Sequence, residues 1–116
     1  MRHGNKNVKL SKATDQRMAL LRSLVQALFI NGKIKTTIKR AKQACRMANS
    51  LITLSRTEGL MAKKKIYETI RDEKALKKLF ELKPERFEGK VGGFTRIIRI
   101  GTRKGDAAQL VVLEII

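Results

Sequence analysis

Apolar residues recur at three- and four-residue spacing through Met18, Leu21, Leu24, Val25, Leu28 and Phe29, the stripe of a helix with one buried face. Ser11 or Thr14 is placed to cap it, and Asn31-Gly32 offers a left-handed stop. The next five residues, Lys33 to Thr37, alternate and include β-branched side chains, which predicts a brief strand. Thr37 is then placed to cap a second helix reaching about Ser55. Its apolar side is Ala41, Ala44, Cys45, Ala48, Leu51 and Ile52, mostly small residues that allow a close approach to a neighbour.

The pattern breaks from Thr57 to Gly59 and resumes over Leu60 to about Arg71. This third helix has a narrow apolar face, because Lys63, Lys64 and Lys65 interrupt it. Asp72 is placed to cap a shorter fourth helix that turns Leu76, Leu79 and Phe80 inward, and Pro84 closes that region. Gly89, Gly92 and Gly93 loosen a loop before a strand from Phe94 to Ile100. The last segment, Gln109 to Ile115, is apolar on both faces, which predicts a strand in the middle of a sheet. The element order predicts an α+β fold: helix, strand, helices, strand, strand.

At 116 residues the chain is expected to form a single domain spanning 1–116, and its 42% hydrophobic content suffices for a modest core. No internal repeat or low-complexity segment interrupts it. Charge changes the picture more than length does. The formal net charge is +17, an imbalance that says little about fold and much about partners. A polyanion is needed to neutralise it; nucleic acid is the commonest, and an anionic membrane surface comes second. The charge is also uneven. Residues 1 to 57 hold 13 Lys and Arg against Asp15 alone, whereas residues 58 to 88 hold 9 against 7 acids. The middle helices therefore read as a solvated or protein-facing layer. Residues 1–11, with Arg2, Lys6 and Lys9 and no acid, read as an extended basic arm ordered by its partner.

The chemistry of an enzyme is poorly supplied. Cys45 is the lone cysteine and His3 the lone histidine, one on a helix face and one in the arm. Together they give no disulfide framework, no multi-cysteine metal site and no expected Cys-His pair. Cys45 reads as a small helix-face residue. Most acids fall near lysines at one-turn spacing, as on a wet helix face. No cofactor, small-molecule substrate or membrane association is expected. The start, MRHGNKNVKL, has no apolar stretch behind it, and no run approaches the roughly 18 apolar residues of a membrane span, so a cytoplasmic location is expected.

The segment GGFTRIIRIGTRKGDAAQL invites a phosphate-loop reading and fails it. That motif needs four residues between its glycines, then Lys and Ser or Thr opening a helix. Here three residues separate Gly101 from Gly105, the acid Asp106 follows, and the next segment reads as a strand. The glycines are better read as turn residues, with Asp106 bracing the turn from within. Arg96 and Arg99 are an odd number apart and should point to opposite faces of a strand, with at most one on the helix side. Aromatic residues are scarce at 4%, without Trp. With Phe29 and Phe80 assigned to core stripes, only Tyr67, Phe87 and Phe94 remain for stacking, which argues against a single-strand platform. No zinc-finger, basic-zipper or aromatic sheet motif is present. What remains is a protein that grips backbone and shape, and structured RNA suits such a protein. The rivals are a free double-stranded DNA-binding protein of nucleoid type and a peripheral membrane or regulatory module.

The motifs also carry a family resemblance. MRH at the start, RMALLRSL at Arg17–Leu24, KIKTTIKRAK at Lys33–Lys42 and LITL at Leu51–Leu54 occur in order, followed by KKLF at Lys77–Phe80, GGFTRI at Gly92–Ile97 and GTRKGDAA at Gly101–Ala108. Together they resemble the bacterial-type large-subunit ribosomal proteins of family seventeen, over the whole chain. Gln16-Arg17, Arg22-Ser23-Leu24 and Cys45 depart from that family's usual residues. The resemblance implies a structural, non-catalytic constituent of the large ribosomal subunit near the nascent-chain exit side. Its implied partners are large-subunit ribosomal RNA and neighbouring ribosomal proteins. It also implies a two-layer α/β fold whose three strands form one small sheet packed against the helices.

The candidate RNA-binding residues are thus Arg2, His3, Lys6, Lys9 and Lys12 at the start of the chain, and Arg17 and Arg22 on the first helix. Lys33 and Lys35 lie on the short strand, and Lys39, Arg40, Lys42 and Arg46 on the second helix. Lys90, Arg96, Arg99, Arg103 and Lys104 complete the set in the loop and hairpin.

Overall fold

The computed structural model describes residues 13–57, 59–82 and 93–116. The arm, Pro84, Phe87 and the loop glycines Gly89 and Gly92 lie outside the described residues. Among the described residues, four helices and three strands follow in the predicted order: α1 (Thr14–Asn31), β1 (Lys33–Thr37), α2 (Ile38–Arg56), α3 (Leu60–Thr69), α4 (Glu73–Glu81), β2 (Thr95–Thr102) and β3 (Gln109–Ile115).

The strands form one antiparallel sheet in the order β1-β3-β2. The segment that is apolar on both faces is therefore the central strand. Its Val111, Leu113 and Ile115 are buried against the helices, while Leu110, Val112 and Glu114 alternate onto the other face. α1 and α2 cover the first face, and α2 lies against all three strands. Ala41, Ala44 and Ala48 on α2 are fully buried, so short side chains set a close helix–sheet approach, and Leu51 and Ile52 extend the seam. Val25, Leu28 and Phe29 of α1, Ile66 of α3, and Ala75 and Leu79 of α4 join the core, together with Ile70 and Phe94. Fully burying one such large aliphatic side chain contributes about 1.5–3 kcal/mol.

Local signals were obeyed unevenly. Gly32 ends α1 at φ 82°, and its amide donates to the Leu28 carbonyl, the left-handed stop that a side chain would strain. Asp72 caps α4 by accepting from the Ala75 amide at 3.1 Å. The threonine caps do not form. Thr14 is the first helical residue, Ala13 holds the N-cap position, and Thr37 occupies the cap of α2 without a side-chain bond. α3 stops at Thr69 rather than near Arg71, and β2 starts at Thr95 and continues past Ile100. The extension arises at a bulge: Arg99 pairs with Val111 and Gly101 with Leu110, leaving Ile100 unopposed and 48% exposed.

Two apolar expectations are corrected. Phe80 is 41% exposed, because the buried stripe of α4 runs through Ala75 and Leu79 and leaves Phe80 beside it. Phe94, weighed as a stacking residue, is fully buried, with the Arg56 guanidinium 5.4 Å from its ring centroid. Cys45 proves structural. Asn49 Nδ2 donates to its Sγ at 3.4 Å, Thr95 Oγ1 donates to Asn49 Oδ1 at 3.1 Å, and Sγ lies 3.0 Å from Thr95 Oγ1. With the threonine proton committed to Asn49, the thiol donates to Thr95 and closes the ring. This triangle pins β2 to α2.

Candidate nucleic-acid interface

The register explains where the basic side chains go. Lys33 pairs with Glu114 and Lys35 with Val112, while Arg96 and Ile98 face the same two residues from the other side. Lys33, Lys35 and Arg96 thus share the face that the helices leave open. Arg99 pairs with Val111 and lies on the helix side, so the two arginines do point to opposite faces. Arg99 is exposed all the same.

Connectivity then gathers cations at one end of the sheet. β1 finishes at Thr37, β3 begins at Gln109 beside it, and β2 finishes at Thr102. α2 starts at this end, so Lys39 and Arg40 project from its first turn, and Lys42 and Arg46 continue along its exposed side. That first turn contains no acidic residue. Cations there oppose the positive helix terminus, which favours an anion instead. One concavity is lined by Thr37, Ile38, Lys39, Ala108 and Gln109, and a second by Arg99, Gly101, Thr102, Gln109 and Leu110. Gln109 borders both. The turn carrying Arg103 and Lys104 connects the two strands at this same end.

Some of the candidate cations already meet acids of the same chain. Arg96 pairs with Glu114, and Arg103 pairs with Asp106. Asp106 braces the turn, as its position suggested. The Arg103 hydrogen bond and the Ala108 amide hold its carboxyl at about 2, below the ordinary 3.8, and the Arg103 guanidinium is raised in turn. Such exposed pairs are weak in water and do not exhaust an arginine's five donors.

Arg22, Lys33, Lys35, Lys39, Arg40, Lys42, Arg46, Arg96, Arg99, Arg103 and Lys104 are exposed, and Arg17 is half-buried. Arg2, His3, Lys6, Lys9, Lys12 and Lys90 lie outside the described residues. The structure brings Lys39, Arg40, Arg99, Arg103 and Lys104 to one end and sets Lys33 and Arg96 toward the other. Gln109 was missed, since a glutamine opening a strand carries no signal until the pairing of β1 with β3 is known. Among the described residues no group of three metal-ligating side chains occurs, and no helix is long and apolar enough to cross a membrane.

A family profile described as ribosomal protein L17 matches residues 20–116. The chain belongs to the ribosomal protein L17 family. It is similar to the large ribosomal subunit protein bL17 of Dictyoglomus thermophilum, 39% identical over 116 residues and the full length of both chains. The protein of that name from Clostridium acetobutylicum is 40% identical over 93% of this chain and 95% of its own. That from Finegoldia magna is 42% identical over 93% and 82%. The L17 family is structural and non-enzymatic.

Proposed function

We propose that this chain is a structural constituent of the large ribosomal subunit in the cytoplasm, binding large-subunit ribosomal RNA through backbone and shape and supporting translation without catalysis. The observation that carries the RNA contact is the gathering of cations from α2, β2 and the β2–β3 turn at one end of the sheet, where Lys39 lines one concavity, Arg99 another, and Gln109 both. Phosphate contacts position a protein without reading sequence, and a folded RNA presents several phosphates to one such surface. The 116 residues act as one domain, with residues 1–11 as a basic arm adding Arg2, His3, Lys6 and Lys9 to the contact. Lys12, Arg17, Arg22, Lys33, Lys35, Lys42, Arg46, Lys90 and Arg96 widen it.

Neighbouring ribosomal proteins are assigned to the near-neutral helices. Leu60 and Met61 on α3 are 68% and 69% exposed, a poor match for phosphate and a good one for an apolar contact. The test is sedimentation of a cell lysate through a gradient. The chain is expected in the large-subunit peak, released as salt rises; a free or membrane-bound peak would contradict the reading.

A further inference from the structure

The turn between β2 and β3 buries almost nothing, yet it is tied together by a dense set of polar contacts. Arg103 donates through Nε to Asp106 Oδ1 at 3.0 Å and through Nη2 to Asp106 Oδ2. Oδ1 also accepts from the Ala108 amide at 3.2 Å. The backbone closes the same loop, with the Arg103 amide donating to the Ala108 carbonyl at 2.8 Å and the Ala107 amide to the Arg103 carbonyl at 3.1 Å. Gly105 at φ 104° and Ala107 at φ 56° take up the reversal. Half of each side chain remains open to solvent, 50% for Arg103 and 55% for Asp106.

On charge alone Asp106 is misplaced. It puts a carboxylate among converging cations, where it lowers the potential that would attract a phosphate. Geometry supplies a reason for it. The pairing is side-on and uses Nε–H and one N–H of Nη2. The outer N–H of Nη1 points back toward Cδ, and the second N–H of Nη2 together with the adjacent N–H of Nη1 forms the end-on edge, clear of the carboxylate. That edge is a two-pronged donor of the kind that fits two oxygens of one phosphate, and a guanidinium fixed in advance loses less freedom on binding.

We propose that Asp106 is a positioning residue: it holds the Arg103 guanidinium so that its end-on edge receives a phosphate of the RNA, and the gain in orientation outweighs the added negative charge. The proposal rests on the RNA reading above. It predicts an effect opposite in sign to that of simple Coulomb attraction.

The test measures binding of the full-length chain to full-length transcribed large-subunit RNA across a salt series. Asp106→Asn keeps an oxygen for the Ala108 amide and raises the net charge by one. It is expected to weaken binding on the order of tenfold. It should also flatten the logarithmic salt slope by about 0.7–0.9, one phosphate's worth. Unchanged or tighter binding would overturn the proposal. The second arm uses Arg103→Lys, which keeps the charge and lacks the fork. In that background Asp106→Asn should leave affinity unchanged or raise it. An equal loss in both backgrounds would make Asp106 a support of the turn alone, and the proposal would fall. Failure of the unaltered chain to bind would overturn the RNA reading itself, a result separable from either variant's.

Discussion

The α3–α4 side and the hairpin end both present lysines and arginines to solvent, but they are built differently. On α3, Lys63, Lys64 and Lys65 follow one another in a single helix that also carries Glu68, and α4 adds Glu73 and Glu81. Only Ala62 and Ile66 of α3 are buried. At the hairpin end the cations arrive in ones and twos, from a helix start, a strand and a turn. The acid among them, Asp106, is already engaged by Arg103. Density along the chain and convergence in space are different quantities. The densest lysine run belongs to the near-neutral side, while the candidate site lies where sheet register and a helix start bring separate elements together.

The strongest way to break this comparison is a matched removal of charge. Replacing Lys39, Arg40 and Lys104 by Ala should lower the logarithmic salt slope for RNA binding by about 2–3, at roughly 0.7–0.9 per lost phosphate contact. Replacing Lys63, Lys64 and Lys65 removes the same charge and should lower it by less than about 1. Equal losses would mean that net charge alone governs binding. A smaller effect on binding, and a large one on stability, is expected at the shared scaffold. Phe94→Ala empties a fully buried site beneath Arg56 and should destabilise the fold by about 3–5 kcal/mol in urea unfolding. The salt slope of the folded fraction should not move.

The smallest effect sharpens the hairpin side. Asp106 sits at about 2 in the folded chain, below its ordinary 3.8. Its contribution to the turn is therefore complete above about pH 4 and is lost as pH falls through 2. The Ala108 amide resonance should titrate with a midpoint near 2, and a midpoint near 3.8 would show that the pair does not persist in solution.

Much of the fold was legible in the sequence because burial leaves periodic marks. The two-faced apolarity of Gln109–Ile115 foretold the central strand, and Asp72 and Asn31-Gly32 foretold a cap and a stop. The misses have local causes. Thr37 sits at a cap position, yet its hydroxyl makes no capping bond. Phe80 has a neighbour in Leu79 that occupies the buried stripe in its place. The bulge at Ile100 depends on how β2 meets β3, which neither strand encodes alone. The basic character of the site was legible as composition, and its residues were legible as candidates. Their gathering at one end was not, because it requires the pairing of residues more than 70 positions apart, such as Thr37 with Leu110.

The central claim is tested most directly by photo-crosslinking within intact large subunits. Gln109 carries no charge and borders both concavities, so a crosslinking side chain there leaves the electrostatic field intact; Met61 on α3 is its counterpart. Position 109 is predicted to capture ribosomal RNA and position 61 to capture no RNA. RNA captured at 61 with none at 109 would contradict the account.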